Sequence, residues 1–373
     1  MSVKIEFHMI QSFPPANLNR DDTNMPKDCE FGGVRRARIS SQCIKRSIRL
    51  HPDFEKYTEV PSADRTRRLI SPIQEKLVEA GKDPQEALEA ASTFVSELLG
   101  GLDKQKENEQ YPRSKVLFYV SQEEIDSIVD LILKSGKDKK EYTKLAKDYI
   151  KQFSQRTSAP DIALFGRMLA DNPNLSMEAS CQVAHAISTH RVNMEMDFFT
   201  AVDDLQKTED PGAGMMGITG FNAATFYRYA AIDWGQLVEN LDQDTALAKK
   251  TVRAFLSAMA KAIPTGKQNA FAAQTPPALI LAVVRDDEQA WSLANAFEKP
   301  INAKGNNGIL HQSIAALDNH WHELNQIYGD PEHPVKPFVL VLPEVEELKF
   351  LKDEKVGSLI ALEDAVCNAL PQE

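Results

Sequence analysis

The sequence predicts an α+β fold, and three observations carry that reading. A period-two alternation stands at the N-terminus, helical three- and four-residue spacing fills much of residues 64–153, and strand-like runs return after residue 220. The 373 residues suffice for one large or two modest domains with a real core. Apolar residues at 42% and charged residues at 26% are those of an ordinary water-soluble globular protein. No run is long enough to span a bilayer, and MSVKIEFHMI lacks a signal-peptide layout, so a cytoplasmic protein is expected. Cys29, Cys43, Cys181 and Cys367 are scattered, with no C-x-x-C pair to suggest a disulfide framework or a thiolate zinc site. The net charge of -11 argues against unspecific coating of nucleic acid but leaves room for a focused basic groove.

Val3 to Met9 alternates Val3, Ile5, Phe7 and Met9 against Lys4, Glu6 and His8, which predicts a half-buried strand ended by Pro14–Pro15. The stretch that follows, Asn19 to Leu50, is chemically the most unusual. Val34 to Arg49 holds six basic residues and no acidic one, inside an acidic chain. Ser40 and Ser41 read as N-cap residues for a helix opening at Gln42, whose N-terminus offers unpaired N–H groups to an anion. Lys45 and Arg49, four apart, share a face beside the Ile44/Ile48 face expected in the core. Together these make a phosphate-binding surface; the alternative is a basic helix paired with acids elsewhere in the chain. Gly32–Gly33 permits a sharp turn and close approach of another backbone.

From about Asp64 to Gly100 the spacing of Leu88, Ala91, Phe94, Val95 and Leu98 predicts helix, closed by Gly100–Gly101. Asp103 to Lys115 reads as an exposed linker, and Val116 to Val120 as a short strand or a buried connector. Ser121-x-x-Glu124 has the form of a capping box opening a helix to about Lys134. Lys139 to Phe153 predicts a second amphipathic helix, with Lys140, Lys144, Lys147 and Lys151 along its polar side. Such lysines form either a solvated face or a rail for a second nucleic-acid strand. His185 and His190 are five apart, which brings them to no common metal on a strand or a helix. Glu195, Asp197, Asp203 and Asp204 could suggest a metal-dependent ribonuclease, but no companion histidine base is present at a defined spacing. Gly212, Gly214 and Gly217 happen to spell G-x-G-x-x-G without the strand and helix a dinucleotide site needs, so a nucleotide-dependent oxidoreductase ranks low and a flexible tip is expected. Phe221 to Ile232 and Leu279 to Val284 predict strands, and Thr245 to Ile263 and Ile309 to Tyr328 predict helices.

LNRDDTNMPKD (Leu18–Asp28) followed by FGGVRRARISSQCIKRSIR (Phe31–Arg49) closely resembles the N-terminal signature of the CasC family, the backbone subunits of the type I-E CRISPR surveillance complex Cascade. Val34 stands where some relatives carry a basic residue, which trims the patch. DIALFGRM, MDFFTAVDDL, the GKQ at Gly266–Gln268 and SLANAFEKPINAKG extend the resemblance at intervals to about Ile314. It implies a modified RNA-recognition-motif (ferredoxin-like) palm with an inserted helical finger subdomain and an extended thumb. The expected division is palm over 1–57 with the basic loop and helix, fingers over 58–180, thumb and flanking strands over 181–230, and palm again over 231–373. No aromatic RNA-recognition signature is present, so bases should not be stacked one by one on the sheet.

The resemblance further implies a non-catalytic subunit without cofactor or metal, lined up head-to-tail with copies of itself along one CRISPR RNA. Other Cascade subunits, and target DNA through guide pairing, would be its further partners. Backbone contacts are implied for Arg20, Lys27, Ser40, Gln42, Lys45, Arg46 and Arg49, with Lys267, Gln268, Lys299 and Lys304 in second rank. Met168 is implied as a wedge between bases, with Arg167 as a nearby phosphate contact and Phe198–Phe199 as the thumb's contribution. The lysines at 140, 144, 147 and 151 would then face DNA.

Overall fold

The computed structural model describes residues 3–371 apart from 105–107, 136–137, 153–155, 170–171, 202–214, 288, 304–307 and 346. In chain order the elements begin with β1 (Lys4–Ala16), β2 (Asp28–Phe31), β3 (Val34–Ile39), α1 (Ser41–Arg49) and α2 (Pro52–Thr58). There follow β4 (Asp64–Thr66), α3 (Ile70–Glu79), α4 (Pro84–Leu98), β5 (Phe118–Val120), α5 (Gln122–Lys134), α6 (Lys139–Gln152) and α7 (Pro160–Phe165). Next come β6 (Cys181–Val183), β7 (Ala186–Ser188), β8 (Glu195–Ala201), β9 (Met215–Asp233), α8 (Trp234–Asn240) and α9 (Thr245–Lys261). The chain closes with α10 (Gln268–Phe271), β10 (Leu279–Arg285), α11 (Ile309–Tyr328), β11 (Lys336–Val341) and α12 (Leu359–Ala369). This is the α+β class read from the pattern. Contacts divide it into two units, one of Met1–Asp53, Gln182–Asp233 and Val252–Glu373, the other of Phe54–Cys181 and Trp234–Thr251. No helix among the described residues is long and apolar enough to cross a membrane.

The first unit is built on an antiparallel sheet in the order β11-β10-β1-β9-β7-β3-β2, with β6 and β8 also pairing with β9. β1 lies at its centre, Ile5 opposite both Val284 and Ile232. The expected half-buried strand is therefore corrected, since Glu6, His8 and Gln11 are as buried as Ile5, Phe7 and Met9. One face packs Phe7 on Phe255 of α9, and the other meets Leu293, Phe297, Ile314 and Leu317. The polar residues are bonded internally on both faces, His8 on the second and Gln11 on the α9 face, where Arg228 also reaches the Met259 carbonyl. His8 Nδ1 lies 2.9 Å from the Tyr227 hydroxyl, and Arg228 donates to Gln11 Oε1 at 2.6 Å. Alternation alone reads such a face as wet; paired polar groups can be dry. Nor do Pro14 and Pro15 end the strand. Pairing with β9 resumes at Ala16 after a register shift, and the prolines sit in that irregularity, where no ladder N–H is required.

In the second unit α3, α4, α5 and α6 enclose Ile73, Leu77, Phe94, Leu98, Ile125, Ile128, Ile132 and Tyr142. The capping box of α5 is present in both directions, Ser121 accepting from the Glu124 N–H and Glu124 from the Ser121 N–H. The single helical stretch expected over Asp64–Gly100 is instead β4, α3 and α4. Gly81 at φ +92° and Pro84 at the start of α4 punctuate it. Gly101 donates to the Ser96 carbonyl at 2.8 Å, the closure that the glycine pair predicts. The expected linker over Asp103–Lys115 is pinned at both ends, Asp103 N–H to Arg113 O at 2.8 Å and Ser114 N–H to Arg67 O at 2.9 Å. Trp234–Thr251, assigned from sequence to the palm, groups here, with α8 packed on α7.

Candidate nucleic-acid interface

In the first unit the loop before β2 is folded by its own side chains. Asp21 Oδ1 accepts from the N–H groups of Thr23 (2.8 Å) and Met25 (2.9 Å) and from the Thr23 hydroxyl. That hydroxyl bond, with the two N–H groups, holds the Asp21 carboxyl below its usual pKa. Asn24 takes a left-handed φ of 67° to complete the turn. Asn19 then reaches from this loop to the start of α1, its Oδ1 accepting the Ser40 N–H at 2.8 Å. Gly266 lies against the same loop, and a Cβ there would meet the Leu18 carbonyl oxygen at 2.4 Å. The result is a cleft of about 350 Å³ lined by Asn19, Arg20, Asp21, Asn24, Arg46, Ser47 and Gly266, among others.

At the start of α1, Ser40 Oγ accepts the Cys43 N–H at 3.3 Å, which leaves the Ser41 and Gln42 N–H groups without a partner among the described residues. The first turn holds no acidic residue. Gln42 and Arg46 are exposed, Lys45 and Arg49 half-buried, and Ile44 and Ile48 fill the core. Open N–H groups, the positive end of the helix dipole and cations along the same helix favour an anion there.

The rest of the basic run divides by strand parity. Arg36 is fully buried on β3 and donates to the carbonyls of Phe31 (3.1 Å), Ser188 (3.0 Å), Phe297 (2.7 Å) and Glu298 (3.1 Å). Gly32, at φ +60°, admits the Glu298 carbonyl so closely that a Cβ would stand 1.7 Å from its oxygen. The backbone that approaches this glycine is thus the chain's own, and the exposed Lys299 is fixed beside it. Arg35 pairs with Asp28, and Arg38 bonds the Asp28 carbonyl and His185 Nδ1 (3.1 Å each). His190 is structural, donating through Nδ1 to the Arg191 carbonyl at 2.7 Å and accepting the Thr225 N–H at Nε2 at 3.1 Å.

β8 and β9 form a hairpin in register Phe199↔Gly217, with β8 exposed along its whole length. Phe198 is 61% and Phe199 40% exposed, near Met196, Met215, Met216 and Ile218, also exposed. Phe199 lies across Gly217, where a Cβ would meet its ring at 2.4 Å. Asp203, Asp204, Gly212 and Gly214 fall outside the described residues. Among those described no group of three or more His, Cys, Asp or Glu could hold a metal.

In the second unit α7 ends at Gly166, φ +69°, where a Cβ would stand 2.8 Å from the Met177 carbonyl oxygen. That turn throws Met168 out to 89% exposure, on the rim of a cleft of about 430 Å³. Lys140, Lys144, Lys147 and Lys151 are exposed on α6, with Lys147 3.5 Å from Glu97.

The sequence profile of the CT1975-like protein family (Cas_CT1975) matches residues 5–365. The chain belongs to this family. The resemblance to CasC read from Leu18–Arg49 is thereby shown. Among solved structures, a chain titled "CRISPR RNA-guided surveillance complex, pre-nicking" is 34% identical, with a TM-score of 0.85 over 98% of this chain and 99% of that one. A second, titled "CRISPR RNA-guided surveillance complex", is 28% identical, with a TM-score of 0.71 over 98% and 100%. No curated protein gave a match.

For this CT1975-like chain the structure gathers Arg20, Ser40, Gln42, Lys45, Arg46 and Arg49 about one helix and the loop that Asn19 ties to it. Lys27 follows on that loop, half-buried. Two expectations are corrected. Arg167 is no phosphate contact: its guanidinium is buried, bonded to the carbonyls of Leu175 (2.9 Å) and Tyr119 (2.8 Å) and to Glu124 (2.8 Å). Gln268 turns its Nε2 inward to the Pro264 carbonyl at 3.0 Å, and the GKQ segment opens the short α10. Lys267, at a left-handed φ of 52°, heads that turn, half-buried. Lys304 lies outside the described residues. Sequence reasoning missed Asn19 as the link to α1 and Arg36 as the clamp on residues 297–298. Both depend on contacts distant in sequence, though an arginine at an inward position of β3 was a signal.

Proposed function

We propose that this CT1975-like chain is a CRISPR RNA-binding backbone subunit of a type I-E surveillance complex. The observation that carries the reading is full-length similarity, at a TM-score of 0.85, to a chain of an RNA-guided surveillance complex. The α1 surface supports it chemically, because open N–H groups and aligned cations suit a phosphate backbone and fix register without reading sequence. Several copies line up head-to-tail on one guide, and other subunits set the length of that open array. Met168 and the Phe198–Phe199 hairpin, apolar and exposed, unstack bases and divide the guide into short displayed segments. Target DNA is then chosen by base pairing, in the cytoplasm, and the subunit itself performs no chemistry.

The test is a gel-shift and cleavage assay with labelled repeat–spacer RNA, with and without magnesium, across a salt series. Ladder-like shifts that weaken steeply with salt, with intact RNA, are expected, and Lys45→Glu with Arg49→Glu should abolish them. Magnesium-dependent fragments that survive this double substitution would overturn the non-catalytic reading.

A further inference from the structure

The cleft beside Met168 has a second feature that the wedge does not explain. Arg65 and Tyr119 are directly opposite each other on β4 and β5, and the Arg65 guanidinium lies 4.5 Å from the centre of the Tyr119 ring. The ring is buried and fixed, its hydroxyl donating to Asp161 Oδ2 at 2.6 Å. Asp161, fully buried, also accepts the Ala63 N–H at 3.0 Å, just upstream of β4. The platform under Arg65 is thus rigid before any ligand arrives. Arg65 is exposed and lines the cleft, with its guanidinium placed over the tyrosine ring. The remaining wall includes Leu117, 58% exposed, Phe165 and Met168, with Gly166 and Arg167 between the last two, the Arg167 guanidinium being turned into the core.

An exposed planar cation over an aromatic ring, beside apolar side chains and with the other guanidinium buried, suits a flat π-system better than a tetrahedral phosphate. We infer that this cleft seats an unpaired nucleobase, stacked on the Arg65 guanidinium over Tyr119 and bounded by Leu117 and Met168. The inference rests on the RNA-binding reading and deepens it: a base put out of the stack has a built place to go. A lysine at position 65 keeps the charge but has no plane to stack on.

The experiment is zero-length photo-crosslinking of the full chain to RNA carrying 4-thiouridine, with the crosslinked peptides identified by mass spectrometry. A parallel arm uses DNA carrying 4-thiothymidine, and total binding is measured separately by gel shift. Crosslinks are expected on peptides containing Arg65, Leu117–Tyr119 or Met168. Arg65→Ala and Arg65→Lys should each cut the share at residues 65 and 117–119 by about threefold or more, with RNA affinity changed less than that. An effect in the RNA arm identifies a guide base as the occupant, and one confined to the DNA arm identifies a target base. Bound RNA and DNA that crosslink only elsewhere would overturn the nucleobase site. So would an Arg65→Lys variant with the wild-type crosslink pattern, which would make Arg65 a simple charge. Failure of the wild-type chain to bind RNA at all would overturn the function reading itself.

Discussion

Replacing Arg167 by alanine separates a structural role from an RNA-binding one. Its side chain is 2% exposed, and that of its partner Glu124 is 13% exposed. Removing one member of a buried, hydrogen-bonded ion pair costs about 3–5 kcal/mol. Glu124 keeps the Ser121 N–H and some water, so the lower end applies, about 3 kcal/mol. The Leu175 and Tyr119 carbonyls also lose their donor. For a unit of this size each kcal/mol moves the melting midpoint by about 2–4 °C, which predicts a fall of about 6–12 °C. Calorimetry on the full chain should show that fall in the transition of the second unit. A cycle with Glu124→Ala should return a coupling of about 1–3 kcal/mol. If Arg167→Ala instead melts with the wild type but binds RNA with lower affinity and a shallower salt slope, the guanidinium reaches phosphate and the structural account is refuted.

Gly32→Ala should cost about 2–4 kcal/mol in denaturant unfolding, from left-handed strain plus collision with the Glu298 carbonyl. Gly33→Ala, at φ +73° with open space around it, should cost only about 1 kcal/mol, and equal costs would deny the close approach. Burial, with a smaller contribution from the Arg36 charge, pushes the His190 pKa below 6.5, and its Nε2 accepts the Thr225 N–H only when neutral. A depressed histidine contributes stability that is present above pH 6.5 and lost as pH falls from there through the folded pKa. Unfolding midpoints between pH 8 and 5 should show that loss, and His190→Gln, which retains an acceptor, should shrink it. Met168→Ala should leave stability within about 0.5 kcal/mol. In bound RNA carrying 2-aminopurine it should dim the unstacked base, and unchanged brightness would count against the wedge.

What could be read without coordinates was whatever a short stretch of chain decides for itself. The capping box at Ser121, the glycine closure at Gly101, the Ile44/Ile48 face of α1 and the whole of α11 follow from periodicity and capping within a few residues. So does the open N-terminus of α1, because serines and the absence of acids in its first turn are local facts. The family likewise lay in contiguous text, Leu18–Arg49. Tertiary structure decided which polar residues face water and which are bonded inside. Glu6, His8, Arg36 and Arg167 have the composition of a surface, yet each is buried because groups elsewhere in the fold meet it there, the Arg285 guanidinium and the Trp291 N–H for Glu6 and carbonyls, carboxylates or a hydroxyl for the others. It also decided that Arg65 lies across from Tyr119. Burial and cross-strand pairing are properties of the assembled sheet and core, and no window of neighbouring residues contains them.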